Sequence, residues 1–167
     1  MKTQISTLLL ATAFLVGMSS CSNNPTKNET QLSDSTAVAV QEKPNSLTLE
    51  ANDAMQFSKT ELRATAGQEI SLTLKNSGKM EKSVMGHDFV LLKPGVDIPA
   101  FGHEAMSAVT TDYIPESQRK SIIAYTKLLG PGESDTIQFT ITEKGTYDYI
   151  CSFPGHYMIM KGKLIIE

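Results

Sequence analysis

The stretch Gly145-Thr-Tyr-Asp-Tyr-Ile-Cys151-Ser-Phe-Pro-Gly-His156-Tyr-Met-Ile-Met160-Lys-Gly-Lys-Leu-Ile-Ile-Glu167 decides how the rest of the sequence is read. Tyr147, Tyr149 and Cys151 fall on one face of an alternating run, and Leu164 and Ile166 repeat the pattern after a loop bent by Pro154 and Gly155. A period of two predicts strands with one face in a core. Working outward, Ile137, Phe139 and Ile141 alternate with Gln138 and Thr140, Ile70, Leu72 and Leu74 with Ser71 and Thr73, and Leu47 and Leu49 start the pattern. Asn76-Ser77-Gly78, Gly130-Pro131-Gly132 and Glu143-Lys144-Gly145 punctuate these runs as turns. The expectation is an all-β chain, an antiparallel Greek-key β-sandwich, with one short helical insertion in the segment 98–113, centred on Glu104 to Thr110.

The loop between the last two strands carries the chemistry. Cys151, His156 and Met160 place a thiol, an imidazole and a thioether within ten residues. Thiolate and thioether are soft donors suited to Cu(I), and imidazole serves both copper oxidation states. Two histidines, one cysteine and a weak axial methionine form the donor set of a blue-copper electron-transfer site. The second histidine must come from elsewhere, and the chain has only His87 and His103 left. His87 directly precedes the apolar run Phe89-Val90, whereas His103 lies in the helical insertion, so the strand-borne His87 is the expected ligand.

Several separate segments carry a resemblance: Asn52-Asp-Ala-Met-Gln-Phe57, Val84-Met-Gly-His87, Thr126-Lys-Leu-Leu-Gly130, Cys151-Ser-Phe-Pro-Gly-His156 and Met160-Lys-Gly. In this order they make residues 46–167 resemble azurin, one of the cupredoxins. The resemblance implies copper ligation by His87 and His156 through imidazole nitrogen, by Cys151 through thiolate and by Met160 as a long axial contact. It further implies that the Gly86 carbonyl approaches from the opposite axial side, and that backbone N–H groups of Asp88 and Phe153 point at the sulfur. A cupredoxin fold would hold this set nearly unchanged in both oxidation states, with no catalytic acid or base. It also implies an apolar docking patch around His156, drawn from Met85, Met106, Pro154, Gly155, Tyr157 and Met158, where c-type cytochromes or a terminal reductase would dock.

The chain departs from the azurin pattern in places. Asp88 stands where azurins usually carry Asn, and an ionised carboxylate can accept hydrogen bonds but not donate them. Phe89 replaces a Trp, and Asn76 stands where some azurins have a titrating histidine.

The beginning of the sequence is of another kind. Lys2 is followed by the uncharged run Ile5 to Met18, then Ser19, Ser20 and Cys21. This predicts a secretory signal over residues 1–20, too short at 14 uncharged residues for a spanning helix, which needs about 20. Its end resembles the lipobox of bacterial lipoproteins, which implies lipid attachment at Cys21; simple cleavage nearby is the alternative. Residues 21–45, rich in Ser, Asn, Thr, Gln and Pro, are expected to form a disordered spacer. Fully extended, such a spacer reaches roughly 80 Å at about 3.3 Å per residue. A Cys21–Cys151 disulfide is the other use of the two cysteines, and lipidation would preclude it.

The net charge of −3 offers no basic patch for nucleic acid. The expected protein is thus a monomeric, periplasmic, lipid-anchored copper protein that shuttles electrons. A copper store or chaperone is the competing class. A Cys151–His156 nucleophilic enzyme is disfavoured by the apolar setting of Phe153, Pro154 and Met160.

Overall fold

The protein is described by a computed structural model, here for residues 45–167. The signal segment 1–20, the lipidation at Cys21 and the spacer up to residue 44 lie outside the described residues. Among the described residues there are nine strands: β1 (Ser46–Asn52), β2 (Gln56–Phe57), β3 (Glu61–Ala64), β4 (Glu69–Asn76), β5 (Val90–Leu92), β6 (Ile122–Tyr125), β7 (Ser134–Thr140), β8 (Gly145–Ile150) and β9 (Lys161–Ile166). They form two sheets, ordered β2-β1-β4-β7 and β3-β9-β8-β5-β6. The chain changes sheet after β2, β3, β4, β6 and β7, so neither sheet can form from one continuous segment. Asn45, assigned to the spacer by composition, already belongs to the fold: its side chain accepts from the Thr65 N–H at 2.8 Å and its carbonyl from Ser71 N–H at 2.9 Å.

The sheets are mixed rather than purely antiparallel. β1 runs parallel to β4, with Leu47 opposite Leu72 and Leu49 opposite Leu74, and β3 runs parallel to β9, with Leu62 opposite Leu164. All other pairings are antiparallel. Parallel neighbours need long crossovers instead of hairpins, which is why no turn signal in the sequence announces them. The main core lies between the sheets. Ile70, Leu72 and Leu74 of β4 meet Leu62, Tyr149, Leu164 and Ile166, and every second residue of β4 and β9 is buried as the alternation predicts.

Strand β5 breaks the alternation, because Val90, Leu91 and Leu92 are all fully buried. A strand buried on both faces needs a second cover, and helix insertion supplies it. A one-turn helix α1 (Lys82–Met85), absent from the sequence expectation, leads into the β5 region, and α2 (Ile98–Ser107) lies outside the sheet. Phe101 and Ala105 of α2 pack on Val90, Leu92, Ile150 and Ile114 as a separate apolar cluster. Burying Phe101 alone is worth roughly 1.5–3 kcal/mol. The helix begins at Ile98 rather than near Glu104, since Asp97 caps it by accepting from Ala100 N–H at 3.1 Å and Pro99 fits its first turn. After α2 the chain turns sharply through Asp112 (φ 53°) and Tyr113 (φ 65°), two successive left-handed residues that bear side chains.

Candidate metal centre

Two segments converge at one end of the sandwich. His87 stands before β5, where its N–H donates to Leu129 carbonyl at 3.1 Å and its own carbonyl accepts from Leu129 N–H at 2.7 Å. This pair of backbone bonds fixes the residue without using the imidazole. Next to it, Phe89 N–H donates to the Thr126 hydroxyl at 3.0 Å. Gly86 precedes His87 where a Cβ would come within 2.7 Å of the Lys82 carbonyl and 3.1 Å of the Leu128 side chain. The closing turn of α1 therefore admits only glycine before the histidine.

The second segment follows β8. Cys151 N–H donates to the Met160 carbonyl at 2.9 Å, which closes the base of the loop. Within it, His156 N–H donates to the Phe153 carbonyl at 2.9 Å, and Met160 N–H returns to the His156 carbonyl at 2.8 Å. Gly155 opens the 3-10 turn His156–Met158 in a left-handed conformation, φ 81°, that a residue with a Cβ adopts only at a cost.

The result is a buried trio. Nδ1 of His156 lies 3.5 Å and Nδ1 of His87 3.9 Å from Cys151 Sγ, and the three donor atoms all lie within 4.8 Å of one another. His87 and Cys151 have no exposure and His156 has 3%. An ion held about 2.1 Å from each of three donors in a plane would set them about 3.6 Å apart, so the spacing fits a metal. His87 Nε2, the ring nitrogen not used toward the sulfur, is buried without a hydrogen bond of ordinary geometry, and the Asn52 backbone is the group that acts on this ring. Met160 is 1% exposed and shares the main core with Cys151 and Phe153. His103, by contrast, is exposed on α2.

Electrostatics favour neutral donors in the absence of a cation. Burial lowers the affinity of His87 for a proton, against partial opposition from the Asn52 backbone and the Asp53 charge. Burial, and then the neighbouring His87, push His156 down to about 4. Burial and the charge of Asp88 hold the Cys151 thiol well above its ordinary value, although the backbone N–H groups of Asp88 and Phe153 pull the other way by donating to the sulfur. A cation reverses this balance, because it deprotonates a coordinating thiol outright.

Asp88 is itself buried, and burial raises it to about 6 despite hydrogen bonds led by those from Ser152. Its carboxylate accepts from Ser152 N–H at 2.6 Å and from the Ser152 hydroxyl. It therefore fastens the His87 segment to the Cys151 segment. The sequence reading foresaw an accepting carboxylate here but not that both oxygens would be used by one serine.

Around the trio, Met158 and Ile159 are more than half exposed, Met106 and Gly155 are exposed, and Met85 and Pro154 are half-buried. Met80, a weaker candidate for the patch, is exposed too, as are Val84 and Ile159, which the expected patch left out. Tyr157 is half-buried, with its ring packed against the cluster beneath α2. A Cβ on Gly102 would lie 2.4 Å from that ring.

Comparison with known proteins agrees with this arrangement. Residues 44–167 match the family described as copper binding proteins, plastocyanin/azurin family. The chain is 36% identical over 124 residues to azurin-1 of Alcaligenes xylosoxydans xylosoxydans, covering 71% of this chain and 95% of that protein. It is 35% identical over 123 residues to outer membrane protein H.8 of Neisseria gonorrhoeae, covering 71% of this chain and 66% of that one. Among solved structures, reduced auracyanin from Roseiflexus castenholzii superposes with a TM-score of 0.66 at 35% identity, over 74% of this chain and 97% of that one. An azurin from Methylomonas sp. strain J does so with a TM-score of 0.65 at 28% identity, over 73% and 97%. With a sandwich of this topology, a buried trio of copper-type donors and these relatives, the chain belongs to the plastocyanin/azurin family of copper-binding proteins.

Proposed function

We propose that the protein is a type 1 (blue) copper electron carrier working on the periplasmic side of a membrane. The convergence of two imidazole Nδ1 atoms and one thiol in a buried site is the observation that supports this most directly. In this reading His87, His156 and Cys151 would hold the metal, with the Met160 thioether and the Gly86 carbonyl as weaker donors. When bound, copper supplies the one-electron Cu(I)/Cu(II) couple. The chain's own residues do the rest. Backbone bonds at His87, Cys151 and His156 keep the donors in place whichever charge the site carries, and Asp88 ties their two segments together. N–H groups of Asp88 and Phe153 stabilise the thiolate. Near-complete burial keeps water from the donors.

The exposed apolar surface near His156, with Met158, Met106, Gly155, Pro154 and Met85, would dock redox proteins such as c-type cytochromes or a terminal reductase. Methionine side chains adapt to differently shaped partners, which suits brief contacts. A lipid on Cys21 would tether the domain to the membrane through the spacer. The outer-membrane name of the Neisseria relative supports such a location.

The test is optical. Cu(II) added to the metal-free protein should produce intense blue absorption that a mild reductant bleaches reversibly, and Cys151→Ser should abolish it. A colourless protein that holds only Cu(I) would overturn the electron-carrier reading in favour of copper storage or transfer. Labelling with a radioactive fatty acid, lost in Cys21→Ser, tests the tether.

A further inference from the structure

The loop that carries His156 is gripped from outside by the segment that follows β5. Two contacts make the grip. Tyr157, directly after the histidine, lays its ring over Gly102 of α2, so close that a Cβ there would fall 2.4 Å from the ring carbons. Tyr113, beyond the end of α2, sets its ring edge-on to Phe153 with centroids 5.1 Å apart, and Phe153 in turn lies 4.7 Å from the His156 ring. The stretch between these anchors is Phe153-Pro154-Gly155-His156-Tyr157, which has no strand partner.

The anchors reach different parts of the molecule. Cys151, Phe153 and Met160 sit in the core between the sheets, where Tyr113 packs against them, while Tyr157 joins the cluster of Phe101 and Ala105 beneath α2. The backbone is bent to allow this. Asp112 and Tyr113 both take left-handed angles, a costly choice for residues with side chains, and Tyr113 N–H is held by the Ala108 carbonyl at 2.8 Å.

We propose that Gly102 and Tyr113 are positioning residues, a two-point clasp by which the α2 segment holds the 153–157 loop and so sets the place of His156 before any metal arrives. The clasp gains its meaning from the copper-ligand role of His156 argued above, but its mechanical part can be read without copper. The expectation from sequence linked the insertion to the site only through Met106 of the docking patch; Tyr157 and Tyr113 provide a direct packing link.

Amide hydrogen exchange on the full chain in its metal-free form tests the clasp. Gly102→Ala, which displaces the Tyr157 ring, and Tyr113→Ala, which removes the Phe153 contact, should each raise exchange at the His156, Ile159 and Met160 amides by at least tenfold. Leu72 and Leu74 in β4 should be unchanged, and Tyr113→Phe should behave as the parent. On a Tyr157→Ala background, Gly102→Ala should add nothing further, because the ring it displaces is gone. In the copper-loaded chain the same two variants should lose metal to a chelator faster. Unchanged loop exchange, a rise spread equally over β4, or a Tyr113→Phe variant as loose as Tyr113→Ala would overturn the proposal. Failure of the copper reading would silence only the chelator measurement and leave the exchange result standing.

Discussion

Both oxygens of Asp88 are taken by Ser152, one by its backbone N–H and the other by its hydroxyl, so a single buried carboxylate joins the segment before β5 to the segment after β8. The charge that does this also lies beside the Cys151 sulfur and opposes thiolate formation there. Negative charge near the site favours the more positive oxidation state of a bound metal. Asp88→Asn keeps an acceptor for the N–H and gains a donor for the hydroxyl, so the tie survives while the charge goes. The reduction potential at pH 7 should rise, on the order of 50 mV, which is about 1.2 kcal/mol for one electron. Protein-film voltammetry measures it, and a fall or no change would refute the electrostatic account.

The exposed thioether of Met158 sits two residues from His156 and is more than half accessible. A lysine there puts a like charge on the same face of two approaching molecules. Electron self-exchange should slow by about tenfold at low salt in Met158→Lys, with partial recovery at high salt and an unaltered copper spectrum. Line broadening in mixtures of the two oxidation states reports the rate. Equal rates in parent and variant would remove this surface as the electron portal.

Strands β8 and β9 face each other across a close contact. Tyr149, fully buried, donates its hydroxyl to the Lys59 carbonyl at 2.7 Å, and a Cβ on Gly162 would fall 2.2 Å from that hydroxyl and 2.6 Å from the Thr60 carbonyl. Gly162→Ala should therefore destabilise the domain by about 1–3 kcal/mol, as overpacking does. Urea denaturation gives the midpoint shift, and a midpoint equal to the parent's would mean that the strand yields without cost.

Removing the metal leaves two imidazoles and a thiol crowded in a water-poor site. Zn(II), which has no redox chemistry, should raise the melting temperature of the metal-free protein by about 5 °C or more, because it binds the folded state alone. The shift should vanish in Cys151→Ser. Calorimetry with and without the ion decides this, and a shift retained in the variant would place the metal elsewhere.

Much of this architecture is legible in the sequence because it is local. Ile70, Leu72 and Leu74 show their buried face by simple alternation, and Cys151, His156 and Met160 show their common purpose by lying in one loop. What resists reading is long-range. The parallel pairings of β1 with β4 and of β3 with β9 leave no turn signature, and Val90-Leu91-Leu92 is buried on both faces only because Phe101 and Ala105 come back to cover it. Tyr157 illustrates the same limit at the site. A tyrosine beside a surface loop suggests exposed apolar area, and only the missing side chain at Gly102 lets its ring turn inward.

His87 and Cys151 are 64 positions apart, whereas Cys151, His156 and Met160 come shortly before β9. The first donor therefore lies mid-sequence, and eight of the nine described strands precede the second. An ion caught early by His87 alone would have one nitrogen to hold it and would be lost. A chain truncated anywhere before that loop keeps His87 alone of the four side-chain donors. The placement of the donors thus reserves a complete site for chains that extend at least through Met160.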